Sequence, residues 1–558
     1  MELRNHASVA KVKSEEIDRP LADFPVNIWE HPLTTFSVLD LDGDRNKEKL
    51  SSLKDTVMES LLASRENPIE NIKFIDVLCR LGVSYHFEEE IFAQLEAMFA
   101  SHDFMHMIRN NEFDLYTVAL VFQVLRQFGH KLVSDVFDKF KNKNGEFMEH
   151  LAEDARGLLC LYEAAHWSTH GEDILDEALA FARSNLEKVA SRCSPHLAVR
   201  IKNALKHAYP RGISRIETRQ YISYYEEEDT HDQTLLEFSK VDFNLVQMLH
   251  RKELDQVSRW YKNLELDQKL PYARQRTVEG YLWAVGAHFE PRYSQARIKF
   301  AIFINLLTLF DDTYDAFGTI EELESFTDAM LRWNSSGIEG LPESMKYLHH
   351  VVLDFFDKLG EETEKERRPG CITYAKRSMM EVAKAYLQEA KWLSEDYVAT
   401  LKEYAENGAK SSCYLSLLTI SFLGMVDEGT LDVLEWLSTS PPILMNSSLI
   451  GRFYDDLTSC EFEHKRKHVG TAIDCYMKQY GVSWEKAKEE IQVMALDLWK
   501  SLNQELMTKP HQFPFPITMR FLNLSRVIEI FYKYADTYTH SELLKHHVVS
   551  LFIDNIPI

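Results

Sequence analysis

The stretch LLTLFDDTYDAFG, residues 306–318, passes abruptly from apolar to acidic. Leu306, Leu307, Leu309 and Phe310 have the spacing of a buried helix face, and Asp311, Asp312 and Asp315 follow with no Lys or Arg among them. On a helix Asp311 and Asp315 lie one above the other, with Asp312 about 100° round. Three carboxylates beside an apolar interior repel one another and are costly to desolvate. At a helix C-terminus they also oppose the macrodipole, so a purely structural role is poorly motivated. A divalent cation resolves the conflict, because Mg²⁺ takes hard oxygen ligands and is commonly completed by substrate phosphate. The bland alternative is an exposed acidic helix end before a turn.

A second acidic run, GRFYDDLTSCEFEHKRKHVG, spans residues 451–470. Asp455, Ser459 and Glu463 recur every fourth residue, which keeps three hard oxygen donors on one helical stripe. Asp456 and Glu461 point elsewhere. Arg452 lies one turn before Asp455, and the basic run His464 to His468 follows. Such a helix suits a metal together with an anion, although a mixed-charge surface helix has the same composition. A third element is YARQRTVEGYLWAVG, residues 272–286. Arg274 and Arg276 stand just before a helix, and guanidinium forks bind phosphate oxygens in pairs. Most such pairs are simply solvated. Trp283 falls on the following apolar helix, where a Trp is core by default.

These residues need a rigid frame, and the composition says which. The chain has 558 residues, 45% of them hydrophobic, too long for a single core. Only 20 Gly and 16 Pro favour helix over turn-rich β structure. The formal charge of −24, from 63 basic and 87 acidic residues, excludes a general nucleic-acid binder and means that an anionic substrate needs local cations. Seven cysteines at wide spacings, with no CxxC pair, fit a reducing compartment and neither a disulfide framework nor a zinc site. The N-terminus has no apolar signal core, and no apolar run approaches the ~18 residues that span a bilayer. The expectation is a soluble, cytoplasmic protein.

Helical periodicity dominates. Ile72, Ile75, Leu78 and Cys79 recur at helical spacing before Gly82, and Val118, Val121, Phe122 and Leu125 before Gly129. Thr319 and Glu322 fit a capping box. The segment GEETEKERRPG, residues 360–370, reads as a solvated loop. Pro20, Pro25 and Pro32 suggest an extended arm. The expected architecture is all-α: an arm over residues 1–34, a helical domain over 35–235 and a second over 236–558.

Taken together these motifs resemble a known family. DDTYD is similar to the DDxxD box of class I terpene synthases, and DDLTSCEFE to their second metal motif. RPLADFPVNIW, residues 19–29, resembles the N-terminal arm of plant sesquiterpene synthases, and FEPRYSQAR and DTYTH also fit, in order, across essentially the whole chain. The resemblance implies an inactive class II-like α-barrel followed by a class I α-bundle. The class II signature DxDD is absent; its nearest approach, Asp40 to Asp44, also fails as an EF-hand loop, with Arg45 and Ser51 where Gly and Glu are needed. Carried over, metal roles fall on Asp311, Asp312, Asp315, Asp455, Ser459 and Glu463. Diphosphate-binding arginines fall on Arg274, Arg276 and Arg452. Cavity and catalytic roles fall on Trp283, Tyr532, Asp536 and Tyr538. The pocket-lining run at a helix kink falls on Ser411, Ser412 and Cys413, where Cys413 departs from the usual small hydroxyl residue. The implied chemistry is Mg²⁺-dependent ionisation of farnesyl diphosphate by a monomer using three ions, with Mn²⁺ a possible substitute. A monoterpene synthase, a chain-elongating prenyltransferase and a non-catalytic helical scaffold are the competing readings. The product is not legible, because ring closure turns on packing differences of about 1–3 kcal/mol.

Overall fold

The computed structural model describes residues 19, 22, 24–29, 43–110, 113–463, 469–508 and 512–558. Most of the proposed arm and most of the Asp40–Asp44 segment therefore lie outside the described residues, as does the basic run His464 to His468. Among the described residues the architecture is all-α, with a single isolated bridge between Lys141 and Phe147. No helix among them is long and apolar enough to cross a membrane.

The helix ends follow the local chemistry. Helices Pro68–Arg80 and Leu115–Gln127 stop just before Gly82 and Gly129, which take φ of +72° and +79° as their chains turn away. Thr319 and Glu322 form the capping box of helix Ile320–Arg332. The expected loop over residues 360–370 is corrected: helix Glu343–Lys365 runs through Gly360, and only residues 366–370 turn. Glu361, Glu362, Glu364 and Lys365 are strong helix formers, and Lys299 pairs with Glu362 at 3.0 Å, so helix propensity outweighs the charge of the run.

Long helix Gln233–Lys262 begins at the Asp232 cap, which accepts from the amides of Thr234 and Leu235. Its first turns still pack on the N-terminal half. Ser239 donates to the Leu81 carbonyl, and Asp242 accepts from the Tyr85 hydroxyl at 2.5 Å.

Three helices frame the site, and one buried network fixes them to each other. Glu253, on helix Gln233–Lys262, accepts from the Tyr281 hydroxyl at 2.7 Å, on helix Thr277–Ala287. It also takes two bonds, 2.7 and 2.8 Å, from Arg297 at the start of helix Ser294–Ala316. The remaining Arg297 donor reaches the carbonyls of His288 and Glu290. Both ion-pair partners are buried, so the pair survives only because every polar group is satisfied. Helix Tyr414–Gly424 completes the frame. A Cβ at Gly424 would lie 2.3 Å from the Ala296 Cα, so glycine is what permits the close crossing.

Replacing Arg297 by Met strands the buried Glu253 carboxylate. We expect a loss on the order of 3–5 kcal/mol, read as a lower urea midpoint by tryptophan fluorescence. An unchanged midpoint removes the network as the frame's anchor.

Candidate active site

Helices Ser294–Ala316 and Pro442–Glu463, with the Ser411–Tyr414 break and the Tyr532–Thr539 segment, enclose a cavity of about 210 Å³. Its deep part is lined by Trp283, Ile304, Leu307, Leu417 and Ile528, and its upper rim is polar. Of the residues singled out in the sequence, Arg274, Trp283, Asp311, Asp315, Ser411, Ser412, Cys413, Arg452, Asp455, Ser459, Tyr532, Asp536 and Tyr538 all line it. Two residues stand apart, Asp312 and Arg276. For Glu463 the structure gives only its place at the end of helix Pro442–Glu463; its side chain is outside the described residues.

Asp312 is the aspartate that the helical offset turns away from its neighbours. It is fully buried and accepts from the Arg274 backbone amide at 2.6 Å and from Arg274 Nε at 2.8 Å. Arg274 Nη2 then reaches Asp311 at 2.8 Å, and Nη1 donates to Thr539 Oγ1 at 3.1 Å. The Phe24 ring covers this guanidinium at 4.5 Å. Arg274 thus clamps the aspartate box from one side, held in register by Asp312. Arg276, expected to bind phosphate, does not line this cavity in the ligand-free structure. It stands at the N-cap position of helix Thr277–Ala287 without capping it by its side chain, is buried, and donates to the carbonyls of Tyr538, Thr539 and Pro25, tying the rim together.

Across the cavity Arg452 sits near both Asp455 (3.5 Å) and Asp456 (3.8 Å), and Nη2 donates to Ser411 Oγ at 3.1 Å. Ser411 in turn donates to Glu389 at 2.6 Å. Asp456 is buried and accepts from the Tyr404 hydroxyl and the Ala472 amide, a structural role. Cys413 takes φ of +65°, which ends helix Leu401–Ser411 and restarts the chain as Tyr414–Gly424; its thiol lies 3.2 Å from the Tyr386 hydroxyl. Trp283 meets Phe531 and Tyr538 at ring distances of 5.4 and 6.3 Å. Thr308 gives its proton to the Ile304 carbonyl, so the Tyr538 hydroxyl, 2.6 Å away, donates to Thr308 and is fixed in orientation against that wall.

Glu389, Tyr386, Tyr404, Thr308, Thr539 and Phe24 also line the cavity and were not anticipated. Glu389 lies in an ordinary mixed-charge helical pattern, and nothing in its local sequence marks it.

The donor set fits a divalent metal. Buried Ser459 Oγ faces the cavity with no partner among the described residues, which is costly unless a ligand supplies one. Burial and the neighbouring Asp315 push Asp311 up from 3.8 to about 7, the behaviour of carboxylates crowded for a cation. Among the described residues no three His, Cys, Asp or Glu side chains converge into a self-sufficient metal cage. The oxygen donors are divided between two walls, so an anion between them would complete the coordination.

Comparison with known proteins agrees with this layout. Residues 262–501 match the family model described as the terpene synthase family metal binding domain, and residues 28–205 match the terpene synthase N-terminal domain. The chain is 58% identical to an alpha-humulene/(-)-(E)-beta-caryophyllene synthase of Arabidopsis thaliana, over 97% of this chain and 100% of the relative. It is 41% identical to a (-)-germacrene D synthase of Vitis vinifera over 98% of both chains. The crystal structure of isoprene synthase from grey poplar, Populus x canescens, in complex with three Mg²⁺ ions and dimethylallyl-S-thiolodiphosphate superposes with a TM-score of 0.85. That match has 30% identity and covers 93% of this chain and 99% of that one.

The raised Asp311 pKa has a stability consequence. Ionising Asp311 in the fold costs stability, a cost absent below about pH 4 and complete above about pH 7. In EDTA, the melting temperature of Asp311→Asn relative to wild type should therefore climb by a few degrees between about pH 4 and 8. A difference that stays flat over this range shows that the carboxylate is not strained.

Proposed function

The chain belongs to the terpene synthase family, and on that premise we propose that it is a sesquiterpene synthase acting on farnesyl diphosphate. Such enzymes are lyases that expel diphosphate from a prenyl chain and let the allylic cation react within the pocket. The observation that carries the reading is the division of one cavity into an apolar floor and a rim with two oxygen-donor stripes and two arginines.

Asp311, Asp315, Asp455, Ser459 and Glu463 would hold the divalent ions, three Mg²⁺ by analogy with the poplar enzyme and with Mn²⁺ as a substitute. Bound metal supplies Lewis-acid stabilisation of charge building on the leaving diphosphate. Arg452 and Arg274 flank the same volume and add fixed positive charge where that negative charge develops. Asp312 keeps Arg274 aimed. Without metal, burial and Asp315 hold the Asp311 carboxyl up at about 7, so near neutral pH it carries only part of its charge, which lowers the electrostatic cost of the ligand-free site. Trp283 and the aliphatic floor then exclude water from the cation, and an indole face stabilises passing positive charge by roughly 0.5–2 kcal/mol. The hydroxyl of Tyr538 donates to Thr308, which fixes the orientation of its ring beside Trp283. The reaction closes by loss of a proton or capture of water.

The 58% identity to the Arabidopsis synthase supports a sesquiterpene product and makes alpha-humulene and (E)-beta-caryophyllene the first compounds to look for. Purified protein with farnesyl diphosphate and Mg²⁺, without isopentenyl diphosphate, should release volatile C15 product detectable by gas chromatography–mass spectrometry. Formation of longer prenyl diphosphates only when isopentenyl diphosphate is present would instead mark a prenyltransferase. Asp455→Ala should lower kcat by about a hundredfold or more, and unaltered turnover would remove the second stripe from the chemistry. Trp283→Ala should change the product mixture while leaving inhibition by diphosphate nearly intact; an unaltered mixture would take Trp283 out of the cation's path.

A further inference from the structure

A second cavity, of about 240 Å³, lies in the N-terminal half between helices Pro195–Lys206 and Ser214–Glu226, far along the chain from the metal-binding motifs. At its base Arg80 is fully committed. It bonds Asp76 at 2.7 Å and Glu163 at 2.6 Å, and its guanidinium lies over the Tyr209 ring at 4.2 Å. Arg200 is different. Its guanidinium is stacked over Tyr221 at 5.2 Å and Tyr224 at 4.6 Å, and among the described residues no carboxylate stands within ion-pairing distance. The two rings are neighbours, 5.6 Å apart, and the guanidinium lies against both while also bonding Tyr224; on the wall of a hollow it has desolvation to offset and further donors to give.

Glu217 also faces the space. Burial, with Glu163 second, pushes its carboxyl up to about 8, so near neutral pH it is an uncharged hydroxyl donor. At the mouth Val199 is 58% exposed, an apolar rim to a polar hollow. Neither the metal chemistry nor the packing of the two halves uses Arg200 itself.

We propose that this cavity is a binding site for a small aromatic carboxylate, its anionic head on the Arg200 guanidinium and its ring between Tyr209, Tyr221 and Tyr224. A carboxylate matches the guanidinium fork in charge and plane, and aromatic walls favour a flat apolar body. Phosphate fits less well. One guanidinium without a carboxylate partner, beside the Glu163 that Arg80 already engages and in a chain of net charge −24, does not balance a dianion.

The probe is 4-fluorobenzoate, followed by fluorine NMR on the full-length protein in EDTA. Saturable line broadening is expected at or below about 1 mM. Arg200→Gln should weaken the affinity at least about tenfold, and 4-fluorobenzyl alcohol should bind wild type weaker by a similar factor. Should the Arg200 variant fail to fold, Val199→Trp leaves the guanidinium in place and closes the mouth, and it should also abolish binding. Adding Mg²⁺ with inorganic diphosphate, which would fill the catalytic cavity, should leave the probe bound. No saturable binding by about 10 mM, binding unchanged in both folded variants, or displacement by Mg²⁺ and diphosphate would each overturn the assignment. None of these outcomes bears on the sesquiterpene synthase reading.

Discussion

The architecture depends on one electrostatic constraint: carboxylates must be kept beside an apolar cavity before any cation arrives. Left alone, that arrangement would unfold the helix end or draw in water. Arg274 bridges Asp311 and Asp312 on one wall, and Arg452 stands by Asp455 and Asp456 on the other. On each wall one aspartate is buried and fully engaged, Asp312 by Arg274 and Asp456 by Tyr404 and Ala472. The other is left at the cavity surface. Each acidic pair is thereby divided into an anchor and a facing group. The same two arginines are suitably placed for an anion, so the charges that stabilise the ligand-free rim are available to the substrate.

Rigidity behind the rim follows from a second, uncharged-overall network. Glu253, Tyr281 and Arg297, buried and outside the cavity lining, link three helices. A site whose donors are shared between two walls has no tolerance for helix sliding, because a displacement of about an ångström costs a large part of the catalytic advantage. Buried ion pairs are weak sources of stability but strong sources of register when every donor is satisfied. Here the register that matters is that of helix Ser294–Ala316, which brings Asp311 and Asp315 to the cavity at its other end.

Much of this was legible in the sequence. The helical class, the capping box at Thr319 and the breaks at Gly82 and Gly129 follow from local chemistry that tertiary contacts do not override. The spacing of Asp311, Asp312 and Asp315 already separates Asp312 from the other two. What the spacing cannot tell is whether an arginine is used for a ligand or for the chain itself. Arg274 and Arg276 have equal claims by type, and only the fold sends Arg276 to three backbone carbonyls. Glu389 was invisible for the converse reason, since its role comes from Ser411 and Arg452, residues distant in sequence. The charged run at 360–365 misled because charge and helix propensity point in opposite directions, and the ion pair with Lys299 settles the matter.

Both halves of the chain give their buried arginines partners, as Arg126 has Glu172 and Arg215 has the Phe243 carbonyl, and Arg200 is the departure. In the catalytic half each buried arginine has an acidic or carbonyl partner near at hand, and the cavity between them is shared by both signs. Within the N-terminal half Arg80 likewise has two acidic partners, and only Arg200 of this group rests on tyrosine faces. The pivot between the halves is the turn Tyr209–Arg211. Tyr209 stacks on Arg80, and the Pro210 carbonyl accepts from Arg526 on helix Phe515–Tyr532, the helix that ends at cavity residue Tyr532. These contacts act alongside others between the halves, such as Asn503 donating to the carbonyls of His166 and Ser168 and Arg211 lying over the Trp499 ring. Retaining a second helical domain with no acid motif of its own is consistent with bracing, because it holds the back of a helix whose front meets the reacting cation.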